Sequence, residues 1–396
     1  MALPFKNILI FEDELARSRR FLPLTYTRCL AELRSGCMTG LERTRIAAPD
    51  TRIYLHAVER LKPLIKKRYG LHINEIPVGQ TLLINARGSF HFDGSDSTDI
   101  VDELPSEIAK NILAGEPVGV PRYTSDSRIM ALWDIAHQNS DLIVRDIALL
   151  HSRGFLERVD PDSLQFAATR NPSQLFVHPS AKIDFGVVFD CSAGPILIEE
   201  SAHIMSHVTI VGPAVIGKGS IVKIGAKVYG GTTIGPVCKV GGEIESSIVQ
   251  GYSNKQHDGY LGHSYLGEWV NLGAGTNTSD LKNDYSTVRM TIEDEEFDTK
   301  SLFTGLLMGD HSKSAINTRF NTGTAVGVSC NIFSADFPPK WVPSFSWVGS
   351  QGITMYRYEK AAEVAKTVMA RRNMTLSVEE EKLLRTLFEE KGSIEV

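Results

Sequence analysis

A six-residue spacing of aliphatic side chains constrains the fold of this chain more than any other feature of its sequence. Every sixth position from 198 to 240 carries Ile or Val: Ile198, Ile204, Ile210, Ile216, Val222, Val228, Ile234 and Val240. Small or β-branched residues stand two positions before most of them, as at Ala202, Val208 and Ala226. Residues two apart in a strand share a face, so each unit points one aliphatic and one small side chain inward. A unit this short cannot bury its own face, so the units are predicted to stack as the coils of a parallel β-helix.

The spacing breaks near Gly242 and resumes twice. Leu266 and Leu272 restart it, and it continues from Met308 to Ile332 after the acidic stretch TIEDEEFDTK. A solenoid tolerates insertions as loops on one face, and such loops often carry binding residues. We therefore expect the functional residues near these interruptions.

Different patterns flank the repeat. Upstream, NILIF, RIYLHA and TLLINA are typical of strands, and VERLKPLIKKRYG and SDLIVRDIALLHSRGFL of helices, which predicts an α/β domain over residues 1–175. RNPSQLFVHPS is the expected linker, and the β-helix is expected over 176–355. The segment 356–396 predicts two structural helices, the second capped by Ser377.

Composition limits the classes of binding partner, and the cellular compartment, that we expect for this protein. The formal net charge of −5 argues against nucleic acid or an anionic membrane as the partner. The sequence has no apolar run long enough to span a bilayer, and the first residues lack the pattern of a signal peptide, so a cytoplasmic protein is expected. Five scattered cysteines with no CxxC pair predict buried, reduced thiols.

Two motifs carry a resemblance to a known family. HDGYLG at 257–262 and NLGAGT at 271–276 resemble the acceptor-site motifs of the GlmU-like family, bifunctional enzymes that make UDP-N-acetylglucosamine. The front end, ILIFEDELARSRRFLPLTYTRCLAELRSG, is similar to the N-terminal nucleotidyltransferase-like domain of a shortened branch of that group. The resemblance implies a Rossmann-like α/β domain, a left-handed β-helix and a homotrimer. It further implies acetyl-CoA as the acetyl donor, an amino-sugar 1-phosphate as the acceptor, and UTP or another nucleoside triphosphate with Mg²⁺ in the first domain.

The same resemblance assigns roles to residues of the β-helix. His257 matches the catalytic base, which suits a side chain that exchanges a proton near neutral pH. Two residues match positions that hold the sugar phosphate, and a neighbouring lysine is a weaker candidate for that phosphate: Tyr260, Asn271 and Lys255. Three residues fall where the family contacts acetyl-CoA: Ala274, Asp310 and Val328. The Ala274 backbone would face the reacting acetyl group, where a fixed N–H suits an oxyanion.

The chain departs from the family pattern near these motifs. Asp310 replaces a small hydroxyl residue, and Asp280 and Leu281 stand where Asn and Tyr are expected. Ser247 replaces a lysine expected to bind the sugar phosphate. Because of these changes, the sequence does not assign the identity of the acceptor sugar or of the acyl donor.

The first domain departs further. The family's glycine-rich phosphate loop becomes Ala16-Arg17-Ser18-Arg19, whose side chains fill the space of a phosphate. Asn85 stands where a Mg²⁺-binding carboxylate is expected. Arg20 and Arg28 are the candidate phosphate-binding residues. The domain is then a nucleotidyltransferase, or a ligand-binding or structural remnant of one.

Two readings from other classes remain open. A zinc site would need three histidines converging from adjacent subunits, and His203, His207, His257, His263 and His311 are the available ones. The chain would otherwise be a non-catalytic, sugar-nucleotide-binding regulatory or scaffold subunit of the same architecture. Failure to bind any acyl-CoA would favour that second reading.

Overall fold

The computed structural model describes residues 5–93, 100–118, 129–157, 164 and 167–392. It contains an α/β head domain, a left-handed parallel β-helix and two C-terminal helices. In these ranges no helix is both long and apolar enough to cross a bilayer. The predicted fold class is confirmed.

The head domain is built on a five-stranded sheet. The strands of the head, in chain order, are β1 (Asn7–Phe11), β2 (Arg34–Ser35), β3 (Met38–Thr39), β4 (Arg52–Leu55), β5 (His72–Ile73), β6 (Thr81–Asn85) and β7 (Ile100–Val101). Of these, β2 and β3 pair only with each other and lie outside the five-stranded sheet. The order is β5-β4-β1-β6-β7, with β7 antiparallel to β6 and the other pairs parallel. All five residues of β1 are buried, as expected for the centre of a mainly parallel sheet.

Helices cover this sheet and connect it to the solenoid. They are α1 (Gly40–Ala47), α2 (Lys62–Tyr69), α3 (Ser106–Ala114), α4 (Leu132–His137) and α5 (Asn139–Ser152). Thr39 caps α1, accepting a hydrogen bond from the Glu42 N–H at 3.1 Å while the Glu42 carboxylate accepts from the Thr39 N–H. In α5 the buried residues Leu142, Ile143 and Ile147 lie at helical spacing.

The β-helix has three long sheets, which we name by what covers them. The head-facing sheet contains Leu175–Val177, Ile196–Ile198, Ala214–Ile216, Thr232–Ile234, Ile248–Gly251, Tyr265–Glu268, Leu306–Met308, Thr324–Val326 and Trp341–Val342. The open sheet contains Ala168–Arg170, Val188–Asp190, Thr209–Val211, Lys227–Val228, Glu243–Glu245 and Tyr260–Gly262, and Asn277–Thr278 pairs with Arg319–Phe320 beyond it. The tail-facing sheet contains Lys182–Ile183, His203–Ile204, Ile221–Val222, Lys239–Val240 and Asn254–Lys255, then, through a bridge at Asn271, Lys313–Ser314, Asn331–Ile332, Ser346–Gly349 and Gly352–Met355.

The six-residue pattern lines the interior as predicted. Ile198, Ile216 and Ile234 stack in register on consecutive coils, and all three are fully buried. The eight aliphatic positions and the apolar residues among their small partners form one continuous core with the later hydrophobic positions of the repeat. All five cysteines are buried, and none of them forms a disulfide within the described residues.

The first coil begins earlier than expected. Ala168–Arg170 and Leu175–Val177 are already strands of the solenoid, and Leu175 is fully buried in its core. The segment predicted as a linker, 170–180, is therefore largely part of the first coil, because its apolar residues Leu175 and Phe176 pack like those of later coils.

The acidic interruption forms a hairpin, Arg289–Ile292 with Glu295–Asp298, that reaches the head domain. Glu293 in its turn accepts hydrogen bonds from Arg19 at 2.5 Å and from the Tyr26 hydroxyl at 2.8 Å. The rings of Phe297 and Trp133 lie 6.1 Å apart. The insertion therefore fastens the solenoid to the head.

The tail forms the two predicted helices, α6 (Tyr358–Ala370) and α7 (Val378–Gly392). Ser377 is the predicted cap: its hydroxyl accepts from the Glu380 N–H at 3.2 Å, and the Glu380 carboxylate accepts from the Ser377 N–H at 2.9 Å. Glu379 and Glu380 of α7 pair with Lys67 and Arg68 of α2. The tail therefore packs on both the solenoid and the head domain.

Candidate active site

His257 lies on the corner where the chain passes from the tail-facing sheet to the open sheet. Its ring is exposed and makes no hydrogen bond within the described ranges. The next corner stacks on it, because the Gly275 N–H donates to the Asp258 carbonyl at 3.0 Å. Gly259 has φ +124°, and a Cβ there would collide with the Thr276 carbonyl, so only glycine permits this approach. The structure therefore places His257 beside the Ala274 turn.

Ala274 presents its backbone at this corner. Its carbonyl accepts from the Asn317 N–H at 2.7 Å, which stacks the following corner on it. Its own N–H donates to no acceptor among the residues that the structure describes. A fixed and unused N–H beside an exposed imidazole is a suitable donor for a developing oxyanion.

Lys255 points into the solenoid instead of toward solvent. It is in register with Val240, is only 3% exposed, and donates to the carbonyls of Gly241 at 2.8 Å and His257 at 2.9 Å. Burial lowers the pKa of its ammonium to about 8. The coil between Val240 and Lys255 is shorter than the coils before it, and Lys255 therefore takes an interior position. In the sequence, this side chain is instead a candidate for binding a phosphate. It supports the His257 corner through the backbone.

Tyr260 lies on the outer side of the open sheet between two carboxylates. Its hydroxyl is 2.9 Å from Asp280 Oδ2 and 3.1 Å from Glu245 Oε2. Burial and then the charges of Asp280 and Glu245 raise the pKa of the phenol well above its usual range. A phosphate at this hydroxyl would face two carboxylates, neither of which contacts a lysine or arginine among the described residues.

A histidine completes this cluster. His263 Nδ1 lies 2.7 Å from Asp280 Oδ2, and its ring stacks on Phe303 with the centroids 5.0 Å apart. Gly262 leaves the room that Asp280 and Tyr260 need, since a Cβ there would overlap both side chains. The sequence motifs did not assign the His263–Asp280 pair, although the acid at 280 in place of an amide was a signal for it.

Asn271 lies on a different face of the solenoid from Tyr260. It bridges Asn254 and Lys313 in the tail-facing sheet, and its Oδ1 accepts from Asn254 Nδ2 at 3.4 Å. The sequence assigned Tyr260 and Asn271 to one sugar phosphate. Within one chain the structure does not bring them together.

The two remaining acyl-CoA candidates are enclosed. Val328 is fully buried, and its N–H donates to Ser344 Oγ at 3.0 Å. Asp310 is 4% exposed and is bound by Arg28 of the head domain, with Oδ1–Nη1 at 3.0 Å and Oδ2–Nη2 at 2.6 Å. Thr27 also donates to Asp310, at 2.7 Å. Two residues assigned to different ligands thus pair with each other across the domain interface, so neither side chain is open to a ligand here.

In the head domain, the ends of β1 and β6 meet at the point where the strand order reverses, which is where open α/β sheets bind ligands. Here Asp13 is already paired with Arg87 at 2.7 Å and accepts from Asn85 Nδ2 at 2.8 Å. Burial acts to raise the pKa of Asp13, but the bonds from Arg87, Ala16 and Asn85 outweigh it and lower that pKa. This donor set does not fit Mg²⁺, because its single carboxylate is held by a guanidinium.

Arginine side chains occupy the place of the phosphate loop. Arg17 Nη2 is 2.9 Å from His56 Nε2, and Arg17 Nη1 donates to the Gly115 carbonyl. Burial, and then the charge of Arg17, lower the pKa of His56 to about 3, so this ring is neutral. Arg20 lies over the Phe297 ring, 5.0 Å from its centroid, and faces the hairpin. The structure does not bring Arg20 and Arg28 together as a phosphate site.

The histidines considered for zinc are dispersed. His203 pairs with Asp184 at 2.8 Å and His263 with Asp280. Across the described ranges, no three histidine, cysteine or carboxylate residues come together in a way that would hold a metal ion. Within the described part of one chain, these histidines therefore do not converge on a zinc site.

The Asp280 carboxylate predicts a pH dependence of stability. Burial acts to raise its pKa, but hydrogen bonds from His263 and Tyr260 lower it below the usual 3.8. A lowered pKa stabilises the fold above the pKa of the unfolded chain, and that stability is lost as the pH falls through the folded value. We expect Asp280→Asn to be less stable than wild type at pH 6, with the difference shrinking below about pH 4.

Urea denaturation between pH 3 and 7 measures this difference. Asp50→Asn is the matched control, since Asp50 is exposed and makes no hydrogen bond or ion pair among the described residues. A wild-type advantage that stayed constant down to pH 3 would show that the network does not stabilise the ionised carboxylate.

Comparison with known proteins finds relatives at modest similarity. No family model matches the chain. Bifunctional protein GlmU of Methanocaldococcus jannaschii is 30% identical over 115 residues, 29% of this chain and 28% of the relative. Bifunctional protein GlmU of Ralstonia pickettii is 24% identical over 237 residues, 54% of this chain and 47% of the relative. The chain thus spans less than half the length of these curated relatives.

Among solved structures, a UDP-N-acetylglucosamine acyltransferase of Francisella novicida is similar, with 16% identity and a TM-score of 0.27. The match covers 54% of this chain and 76% of that one. Similarity at this level carries no argument about activity. By sequence, the chain is similar to GlmU proteins over part of its length.

Proposed function

We propose that this divergent GlmU-like chain is an acyltransferase that moves an acetyl group from acetyl-CoA to the amine of an amino-sugar 1-phosphate. Glucosamine 1-phosphate is the first candidate acceptor. The observation that carries the proposal is the exposed His257 ring on a corner stacked against the unused Ala274 N–H. These two groups are what acyl transfer to an amine needs from a protein.

The proposed steps use only groups of this corner. His257 accepts a proton from the acceptor ammonium, which frees the nitrogen lone pair. The nitrogen attacks the thioester carbonyl, and the Ala274 N–H stabilises the oxyanion of the tetrahedral intermediate. Collapse of the intermediate breaks the carbon–sulfur bond, and the proton that the nitrogen loses on becoming an amide goes to the departing thiolate, which leaves as coenzyme A. His257 then releases the proton of the ammonium to solvent.

We further propose that the chain works as a homotrimer in the cytoplasm. Large apolar side chains are exposed along the same corner as His257: Phe185 at 65%, Ile224 at 64% and Ile316 at 70%. A line of exposed apolar residues favours a protein contact. A neighbouring solenoid docked there would enclose the His257 corner and supply further residues to it.

A non-catalytic head domain is the second part of the proposal. It is supported by Arg17 and Arg87, which occupy the positions of phosphate and metal at the ends of β1 and β6. On this view the head binds a sugar nucleotide or orients the solenoid, and uridylyl transfer is absent.

One assay tests both parts. The purified protein is incubated with acetyl-CoA, UTP and Mg²⁺ against a panel of sugar phosphates and amino sugars, with mass detection of products. We expect an acetylated sugar and no nucleotidylated one. Failure to acetylate any amino sugar, by protein that is folded, would remove the acyltransferase assignment; a UDP-sugar product would overturn the assignment of the head.

A further inference from the structure

Positive charges gather on the outer side of the tail-facing sheet, one coil from His257. Lys239 lies in register between Ile221 and Asn254, and Lys223 follows Ile221 by two residues and so faces the same side. Arg372, just after α6, donates to Asn254 Oδ1 at 2.7 Å, and Arg371 is its neighbour in the chain. We call Lys223, Lys239, Arg371 and Arg372 the cation cluster.

The cation cluster has no carboxylate partner in the described part of the chain. Other lysines of the solenoid and tail are paired, such as Lys218 with Glu200, Lys227 with Glu243 and Lys366 with Glu381. Burial and then the charges of Arg372, Lys223 and Arg371 lower the pKa of Lys239, as expected for cations held close together. Positive charges this close to one another repel, and no carboxylate in the described chain pairs with them.

Lys313 extends the positive surface toward the predicted site. It is in register with Asn271, and its ammonium donates to the His311 carbonyl at 2.7 Å. Burial alone lowers its pKa to about 8. Asn271, the residue matched to a sugar-phosphate position, therefore lies between Asn254 and Lys313 in the tail-facing sheet. Asn254 is the residue that Arg372 contacts.

The cluster is within reach of the His257 corner. Asn254 precedes His257 by three residues, which span about 10 Å of extended chain. Gly241, two residues after Lys239, donates to the Lys255 carbonyl at 2.7 Å and so lies against the same corner. A substrate whose reacting group lies at His257 can therefore place an anionic group on the cluster.

The open sheet, on the other side of the His257 corner, repels the same anion. Tyr260 was the other candidate for the sugar phosphate, but Glu245 and Asp280 flank its hydroxyl. A phosphate dianion is repelled by two carboxylates and attracted by several lysines and arginines. The electrostatics of the two faces thus point to the tail-facing one.

We propose that the cation cluster, formed jointly by the solenoid and the C-terminal tail, binds the phosphate ester of a substrate whose reacting group lies at His257. The inference rests on the proposed acyl transfer, and it gives the tail a part in substrate binding. The shared chemistry is a phosphate mono- or diester, carried by the coenzyme A donor or by the sugar acceptor. The competing explanation is a contact between the cluster and the acidic open sheet of a second copy.

Lys239→Met tests the proposal most directly, since the Lys239 ammonium makes no hydrogen bond to the described residues and only its charge is removed. Arg372→Met is the second variant. Lys227→Met is the matched control, because Lys227 is an exposed lysine of the same solenoid that lies 3.9 Å from Glu243. Calorimetry measures binding of inorganic pyrophosphate, acetyl-CoA, acetyl-pantetheine, glucosamine 1-phosphate and glucosamine, and steady-state assays measure KM and kcat.

We expect Lys239→Met and Arg372→Met to weaken binding of pyrophosphate and of one phosphate-bearing substrate about tenfold, with the phosphate-free analogue unaffected. An effect on acetyl-CoA but not acetyl-pantetheine identifies the donor phosphate. An effect on glucosamine 1-phosphate but not glucosamine identifies the acceptor phosphate. Lys227→Met should behave as wild type.

Other outcomes overturn the proposal. Unchanged pyrophosphate and substrate affinities in both variants would show that the cluster binds no phosphate. A change in oligomeric mass by light scattering, with affinities unchanged, would assign it to a subunit contact. If wild type transfers no acetyl group, the proposed function fails, and the pyrophosphate titration still decides whether the cluster is an anion site.

Discussion

Replacing His257 with alanine is expected to lower kcat/KM for acetyl transfer by about 10² to 10⁴, the range that general bases contribute. The ring is exposed on its corner and makes no hydrogen bond in the described structure, so its removal leaves no buried polar partner unsatisfied. The loss should therefore appear in turnover and not in stability. Steady-state kinetics with acetyl-CoA and the acceptor from the substrate panel measures it.

His207→Ala is the matched control for this prediction. His207 is another exposed histidine, placed at the same corner of an earlier coil, where its N–H donates to the Phe185 carbonyl at 3.2 Å. It should retain wild-type turnover. Full activity of His257→Ala would remove the base assignment, and an equal loss in both variants would show that the corner needs histidine for structure.

Replacing Asp310 with alanine is expected to destabilise the protein by about 3–5 kcal/mol, the cost of leaving one charge of a buried pair without its partner. Arg28 is 1% exposed, and of its carboxylate partners in the described structure this variant would keep Glu268 alone, at 3.4 Å. Asp310 also accepts from the Glu268 N–H at 2.8 Å, which would lose its acceptor. Urea denaturation followed by circular dichroism measures the change.

The double variant Arg28→Met with Asp310→Met separates the cause. Removing both charges leaves no isolated ion, so most of the lost stability should return. If the double variant were as unstable as Asp310→Ala, lost packing at the domain interface would explain the effect. A cost below about 1 kcal/mol for Asp310→Ala alone would indicate that water reaches the Arg28 guanidinium.

Local patterns in the sequence predicted the secondary structure and the interior of the solenoid. A six-residue period fixes which side chains face inward because strand geometry alternates faces, and Ile198 through Val240 followed it. The Ser377 cap and the two tail helices were predicted for the same reason, since capping depends on residues three apart. Such features need no knowledge of how distant segments meet.

The candidate site was harder to predict because it depends on such meetings. Arg28 and Asp310 are far apart in sequence, and only docking of the head on the solenoid makes them a pair. Tyr260 and Asn271 lie close in sequence, yet two corners and a strand of the head-facing sheet separate them, which places them on faces of opposite charge. Lys255 turned inward because the coil before it is shorter than its neighbours, a change that a fixed period does not anticipate.

The docked head changes how the coils can open. A solenoid held only by contacts between successive coils unravels one coil at a time from its ends. Here Asn139 of the head bonds Thr233 at 3.0 Å, Glu32 accepts from Gln250 at 2.8 Å, Arg34 accepts from Tyr265 at 2.7 Å, and Arg28 holds Asp310. These contacts tie four coils to the head domain. We therefore expect the coils that the head contacts to open together, and fraying to begin at coils that the head does not contact.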